Sequence, residues 1–181
     1  LYNTNEMLGS YAGADGVKTG YTGKAGRCLV TSATRNDMRL ISVVLGCPSR
    51  YKRAQSSKLI LDYAFENYKL RKLAEEGEVM GEVPVYKGKK ESVSVRAAET
   101  IELPLTEEEF QYLNKHVQLP DQYIAPIYAG SDTGVTVFES QGQVLAQLNM
   151  KIWEDVEKKT TLDYFDDIIR CWCSLIRKGY P

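Results

Sequence analysis

Apolar positions along this chain follow three successive regimes. Between Gly16 and Gly46 they come as short, β-branched runs separated by glycine and polar turns, the signature of strands. Gly16–Tyr21 reads as one strand, entered through Gly13-Ala14-Asp15-Gly16 and left through the glycine cluster from Gly20 to Gly26. Arg27–Thr34 forms a second strand, Arg35-Asn36-Asp37 a turn, and Met38–Gly46 a third. The third run is continuously apolar, as in a central strand covered on both faces. Together they predict an antiparallel meander with the Gly16–Tyr21 strand as an exposed edge. Leu1–Ser10 is polar and aperiodic and reads as a loop. A helix follows Pro48, with Ser49 as its N-cap. Its expected core face is Ala54, Leu59, Ile60, Tyr63 and Ala64.

From about Tyr68 the period shortens to two, with turns at regular intervals. Strands are expected over Lys69–Ala74, Glu78–Tyr86, Glu91–Val95, Thr100–Leu103, Gln122–Tyr128, Gly134–Glu139 and Gln143–Met150, a pattern of a small β-sandwich or barrel. Thr106 and the three glutamates after it suggest a short helix start. The last regime is helical again: Leu162, Phe165, Ile168, Ile169, Trp172, Leu175 and Ile176 recur at three- and four-residue steps. Asp163, Asp166, Asp167 and Arg170 make this segment too polar to span a bilayer, which takes about 20 predominantly apolar residues. Beyond Asp167 its charges are all cationic, which suits a helix lying in a membrane interface through Phe165, Ile169, Trp172 and Ile176. The competing reading packs it on its own domain or on a second copy.

Charge sharpens this division. The net charge is −1, yet residues 1–62 hold nine Lys/Arg against four Asp/Glu, while residues 63–150 hold eight against fourteen. A boundary near Tyr63 is implied, with a basic first part suited to an anionic substrate. The acidic middle and the lack of a basic-aromatic stripe argue against nucleic acid. One histidine and four cysteines (Cys28, Cys47, Cys171, Cys173) without metal spacing argue against a metal or other cofactor. Cys28 and Cys47, on adjacent predicted strands, read as buried free thiols, with a disulfide as the alternative. No signal peptide is visible, and a start at Leu1 reads as a downstream piece of a longer protein.

The chemistry sits at Lys18-Thr19-Gly20. A cation, a hydroxyl and a residue without a side chain stand in succession, an arrangement suited to a ligand carboxylate approached by another backbone. With its context, Asp15-Gly16-Val17-Lys18-Thr19-Gly20-Tyr21-Thr22, then Lys24-Ala25-Gly26, Leu29–Ala33 and Met38–Gly46, the segment resembles the low-molecular-mass penicillin-binding proteins that are serine D-alanyl-D-alanine carboxypeptidases. The resemblance implies an α+β fold: residues 1–67 as the end of a penicillin-binding domain with antiparallel sheet and covering helix, 68–158 as a small β-rich domain, and 159–181 as an amphipathic membrane-anchoring helix.

It also implies a hydrolase that trims peptidoglycan stem pentapeptides, and is acylated by β-lactams, at the extracytoplasmic face of a bacterial membrane. Lys18 and Thr19 would hold the terminal carboxylate, Gly20 would admit the substrate backbone, and the Tyr21 N–H would donate to the oxyanion. The family's S-x-x-K and second serine motif precede K-T-G, so the nucleophile is expected outside this chain, and 1–181 alone is expected to be inactive. Ser49-Arg50-Tyr51-Lys52 has the spacing of S-x-x-K but follows the strand, and Ser131-Asp132-Thr133 imitates S-D-N in a turn. His116 has no partner in sequence. A β-lactamase-related hydrolase and a non-catalytic spacer module are the competing functions. Apolar surface on Leu40, Val43 and Leu45 is expected to leave the isolated chain poorly ordered, self-associating or bound to a partner piece.

Overall fold

A computed structural model describes residues 3–177, with side-chain surroundings described through Ser174. The chain is α+β, mostly antiparallel sheet with a few helices. It divides into two compact units, residues 1–71 with 102–111, and residues 72–101 with 112–181.

In the first unit, β1 (Ala14–Thr22), β2 (Gly26–Arg35) and β3 (Met38–Cys47) form an antiparallel sheet in that order, followed by α1 (Arg50–Asn67). The turn into β1 needs glycine. Gly13 has φ +82°, and a Cβ there would lie 2.3 Å from the Thr34 carbonyl oxygen. The strand positions match the pattern, but β3 is an edge, not a centre. Met38, Ser42 and Val44 turn inward with half-buried Leu40, whereas Ile41, Val43 and Leu45 are 63%, 56% and 70% exposed. One face is therefore uncovered among the described residues, and the apolar surface includes Ile41 in place of Leu40.

Helix α1 begins where expected, with the Ser49 hydroxyl accepting from the Lys52 N–H at 3.1 Å. Its expected face holds only for half-buried Ala54 and Ala64. Arg53, Ser57 and Leu61 are buried, while Leu59, Ile60 and Tyr63 are exposed. Two hydroxyls explain the rotation: Ser42 and Ser57 hydrogen-bond at 2.5 Å, bringing helix and sheet close at a small-residue contact. Arg53 is tolerated inside because Glu6 grips it through two oxygens, at 2.6 and 3.3 Å, and the Cys28 carbonyl accepts at 3.4 Å. The small core around them is Met7, Tyr11, Leu29, Ala33 and Leu61.

Next come β4 (Tyr68–Ala74), β5 (Val79–Tyr86), β6 (Ser92–Ala97), β7 (Ile101–Thr106), α2 (Glu107–Gln111), β8 (Leu113–Gln118), β9 (Tyr123–Ile124), β10 (Asp132–Ser140), β11 (Gln143–Ile152) and α3 (Thr161–Arg177). Strands β4 and β7 pair as a ribbon. The second unit is built on one open six-stranded sheet, ordered β8-β10-β11-β6-β5-β9, rather than a barrel. Only β9 is parallel to its neighbour, and it spans two residues where a longer strand was expected. β8 is an edge strand that patterning missed: apart from half-buried Leu113 its side chains are exposed, so no alternation marks it. The core gathers Met80, Val83, Val95, Ala97, Phe138, Leu148 and Met150, with a second cluster around Val85, Val93, Ile152 and Val156.

Helix α3 opens on a reciprocal cap. The Asp163 carboxylate accepts from the Thr160 N–H and hydroxyl, both at 2.7 Å. Leu162, Phe165, Ile168, Ile169 and Trp172 are exposed. The Ile176 side chain, one of the expected membrane contacts, lies outside the described residues. No helix among the described residues is long and apolar enough to cross a membrane.

Candidate functional site

Pairing fixes the site from the backbone upward. Because β2 occupies one side of β1, the other side of β1 is a sheet edge. The pairs Lys18–Val30 and Val30–Val43 put Lys18 on the same sheet face as the exposed row of β3. Lys18 is exposed, and its Nζ lies 3.4 Å from the Thr19 carbonyl oxygen. Thr19 is half-buried, with its Oγ1 2.5 Å from Thr4 Oγ1. Gly20 is opposite Cys28, where a Cβ would meet the Cys28 Cβ at an ordinary 3.8 Å. Packing within the chain therefore does not demand glycine there, and the open space faces whatever approaches from outside. Tyr21 is exposed, with the Arg27 guanidinium 4.7 Å above its ring.

Side chains from an unremarkable-looking polar loop hold this strand in place. Asn3 Nδ2 donates to the Val17 carbonyl at 3.2 Å and Asn5 Nδ2 to the Gly16 carbonyl at 2.8 Å. Asn5 is 4% exposed and its Oδ1 accepts from the Met7 N–H at 3.0 Å. On the outer face the Ser32 hydroxyl donates to Asp15, and Arg39 Nη2 lies 3.4 Å from the same carboxylate. The Ser32 hydrogen bond, outweighing slight burial and helped by Arg39, holds the Asp15 carboxyl below its ordinary value. Sequence reading missed Asn3, Thr4 and Asn5; the available signal was an Asn-Thr-Asn run of residues that readily hydrogen-bond backbone.

The other candidates stay apart from this edge. Ser49 is spent as a helix cap, and the Ser131 hydroxyl donates to the Tyr128 carbonyl at 2.7 Å in a turn. His116 is exposed on β8. Cys28 and Cys47 are unpaired and half-buried, and Cys171 and Cys173 are exposed. No cluster of His, Cys, Asp or Glu among the described residues is placed to hold a metal.

Comparison with known proteins covers both units. Residues 68–158 match the family model of the penicillin-binding protein 5 C-terminal domain, and residues 1–49 that of the D-alanyl-D-alanine carboxypeptidases. The D-alanyl-D-alanine carboxypeptidase DacF of Bacillus subtilis is 34% identical over 95% of this chain and 44% of its own. DacA of Haemophilus influenzae is 36% identical over 78% of this chain and 37% of its own. The solved structure of penicillin-binding protein 5 from Haemophilus influenzae superposes with a TM-score of 0.73 at 33% identity, covering 85% of this chain and 46% of that one. The chain thus spans less than half the length of each. With residues 1–49 and 68–158 matching these two family models in succession, the chain belongs to the penicillin-binding protein 5 family of D-alanyl-D-alanine carboxypeptidases.

Proposed function

We propose that this chain supplies the substrate-holding edge and the C-terminal module of a serine D-alanyl-D-alanine carboxypeptidase that trims peptidoglycan stem pentapeptides and binds β-lactams. The carrying observation is that Lys18, Thr19 and Tyr21 stand on an exposed strand with a free side. Lys18 and the Thr19 hydroxyl bind the terminal carboxylate, Gly20 admits the peptide backbone, and the peptide adds to β1 as a further strand. The serine acts from a part of the protein beyond these 181 residues. Its oxygen bonds to the carbonyl carbon of the penultimate D-alanine, and the resulting oxyanion accepts from the Tyr21 N–H. Such a donor typically lowers the barrier by about 2.7–4 kcal/mol. The C–N bond then breaks, D-alanine leaves as the protonated amine, and water hydrolyses the serine ester to free the shortened peptide.

In this reading the bare row Ile41, Val43 and Leu45 is covered in the complete protein, and the isolated chain associates with itself through it. Residues 1–67, 68–158 and 159–181 act as binding domain, β-rich module and anchor. The self-contained core of the second unit supports a spacer role for the module beside the catalytic one. The anchor lies on the outer surface of the cytoplasmic membrane through Phe165, Ile169, Trp172 and Ile176, supported by the exposed apolar row of α3.

The test is a covalent adduct. The complete protein incubated with a labelled penicillin should be acylated, Lys18→Ala should slow this by orders of magnitude, and purified 1–181 should show no turnover of D-Ala-D-Ala peptides. An unlabelled complete protein, or turnover by 1–181, overturns the assignment. For the anchor, 1–181 should co-sediment with anionic liposomes and a chain ending at Lys159 should not; equal binding removes the interfacial helix.

A further inference from the structure

We infer that the outer face of the β-rich unit around Trp153 is a saccharide site, which takes a neutral glycan chain laid across the indole. The choice of chain rests on the cell-wall reading above: it is the amino-sugar strand from which the stem peptides hang. The site lies wholly within the second unit and shares no residue with the K-T-G edge.

Strand register assembles it. β11 pairs with β6 as Lys151 with Arg96 and Ile152 with Val95. Ile152 and Val95 are buried, so Lys151 and Arg96 point outward, and Trp153 and Ser94, two positions along, share their face. Trp153 keeps 49% of its surface, yet its ring is fixed. Gly77 has φ +80°, and a Cβ there would lie 3.3 Å from the indole Cη2, so the turn closes on the ring's edge only as glycine. That turn is itself held. The Gly77 N–H donates to the Ala97 carbonyl at 3.0 Å, and Arg96 Nη1 donates to the Gly77 carbonyl at 2.9 Å. A second turn is tied down by the Gly130 N–H to the Ile152 carbonyl and the Ala129 N–H to the Asp155 carboxylate, both at 2.7 Å. The walls are therefore hydrogen-bonded backbone, formed in advance of any ligand.

The linings define what fits. Trp153 borders two recesses, one of about 270 Å³ with Ser94, Arg96 and Glu154, and one of about 250 Å³ with Glu76, Lys151, Ala98, Ala129 and Gly130. Each recess carries one cation and one anion, so an ion of either sign would meet its like. The Glu154 carboxylate is further neutralised by Lys90. An apolar ligand would strip water from these charged groups and return nothing. A neutral polyhydroxylated ring meets both demands. Its hydroxyls donate to the carboxylates and accept from the guanidinium and ammonium, and its faintly positive C–H face lies on the negative face of the indole. Neither recess reaches the roughly 300 Å³ at which pockets begin to enclose a whole small ligand. Each instead takes one ring of a chain that runs on over the surface. A hold on the glycan keeps the catalytic part among many stem peptides at a raised effective concentration.

The test titrates the complete protein, in detergent, with soluble peptidoglycan glycan strands stripped of their stem peptides, and follows the heat of binding. Wild type should bind saturably, and Trp153→Ala should weaken binding at least about tenfold, as loss of an aromatic anchor does. Trp153→Phe keeps a ring and should stay within about threefold of wild type. Ala129→Gln, at an exposed position, puts a longer side chain into the second recess and should also weaken binding. Melting curves establish that each variant is folded; should Trp153→Ala not fold, Ala129→Gln decides. Absence of saturable binding by wild type, or unchanged binding in the folded variants, overturns the site. Tighter, Trp153-dependent binding of polyphosphate overturns its neutral character. The peptide-free probe separates the two readings: penicillin labelling without glycan binding removes this site alone, and glycan binding without labelling removes the catalytic assignment alone.

Discussion

The two units solve the problem of burying a sheet in different ways. In the second, Phe138, Leu148, Met150, Val83 and Val95 are almost fully enclosed within the unit, and its interior is chiefly aliphatic. In the first, a cluster of five residues makes the apolar core, Met38 and Val44 are buried beside it, and many of the other enclosed residues are polar: Asn5, Thr31, Ser32, Ser42, Arg53 and Ser57. On its other sheet face Ile41, Val43 and Leu45 are exposed. Buried polar groups restrict geometry more than they stabilise, because each must meet a partner in one arrangement. The second unit is thus organised for stability, and the first for holding one strand at a defined position.

The largest expected effect tests that contrast directly. Phe138→Ala removes a fully enclosed ring from the second unit and should cost about 3–5 kcal/mol in chemical denaturation. Val43→Ser, at an equally apolar but exposed position of β3, should change the stability of 1–181 by no more than about 0.5 kcal/mol. If Val43→Ser also costs several kcal/mol in monomeric 1–181, the outer face is not bare and the comparison fails. In the complete protein the same substitution should become costly.

A smaller effect belongs to the Glu6–Arg53 pair. Arg53 is enclosed to within 4% while Glu6 keeps a third of its side-chain surface. Glu6→Gln should cost about 1–3 kcal/mol, below the range for a fully buried pair because water reaches the carboxylate. Burial opposes ionisation of Glu6, but the Arg53 hydrogen bond, a backbone bond and the charges of Arg53 and Arg50 prevail and lower its pKa. Because the folded value lies below the unfolded one, this contribution is complete above the ordinary glutamate value and is lost as pH falls through the lowered one. Melting temperatures of wild type and Glu6→Gln should therefore converge in acid. Tyr11 behaves oppositely. Burial, then its 2.8 Å hydrogen bond to Asp62, pushes its hydroxyl up to about 12 from 10.0. Its contribution is complete below the ordinary value and disappears between about 10 and 12, a loss that Tyr11→Phe should not show.

Strand patterning was legible wherever a strand has one wet face or a β-branched run: β1, β2, β3, β5, β10 and β11 lie close to where sequence places them. It failed where burial did not follow hydropathy. Continuous Met38–Gly46 looked doubly covered because pattern reports what a strand is suited to, not what is present to cover it. The face of α1 was misread because Arg53 and Ser57 are inside for reasons set by Glu6 and Ser42, distant in sequence. The Lys18-Thr19-Gly20 edge was legible from a short, chemically distinctive run. Asn3, Thr4 and Asn5 were not, since their roles depend on which backbone carbonyls of β1 pass beside them.

The smallest effect has the opposite sign. Thr31 lies at the middle of β2, between Val17 on β1 and Ser42 on β3, and is completely enclosed. Its Oγ1 has no hydrogen-bond partner among the described residues. A hydroxyl buried without a partner is destabilising, whereas valine keeps the branched shape and removes the unmet group. Thr31→Val should therefore raise the stability of the first unit by up to about 1 kcal/mol while leaving the second unit's transition unchanged. If it destabilises instead, the hydroxyl has a bound water as partner, and the central strand of the first unit is wetter than its packing indicates. Comparing Thr31→Val with Thr31→Ser separates the two cases: serine retains the hydroxyl and loses only the methyl, so a bound water predicts serine as the milder change and an unmet hydroxyl predicts valine.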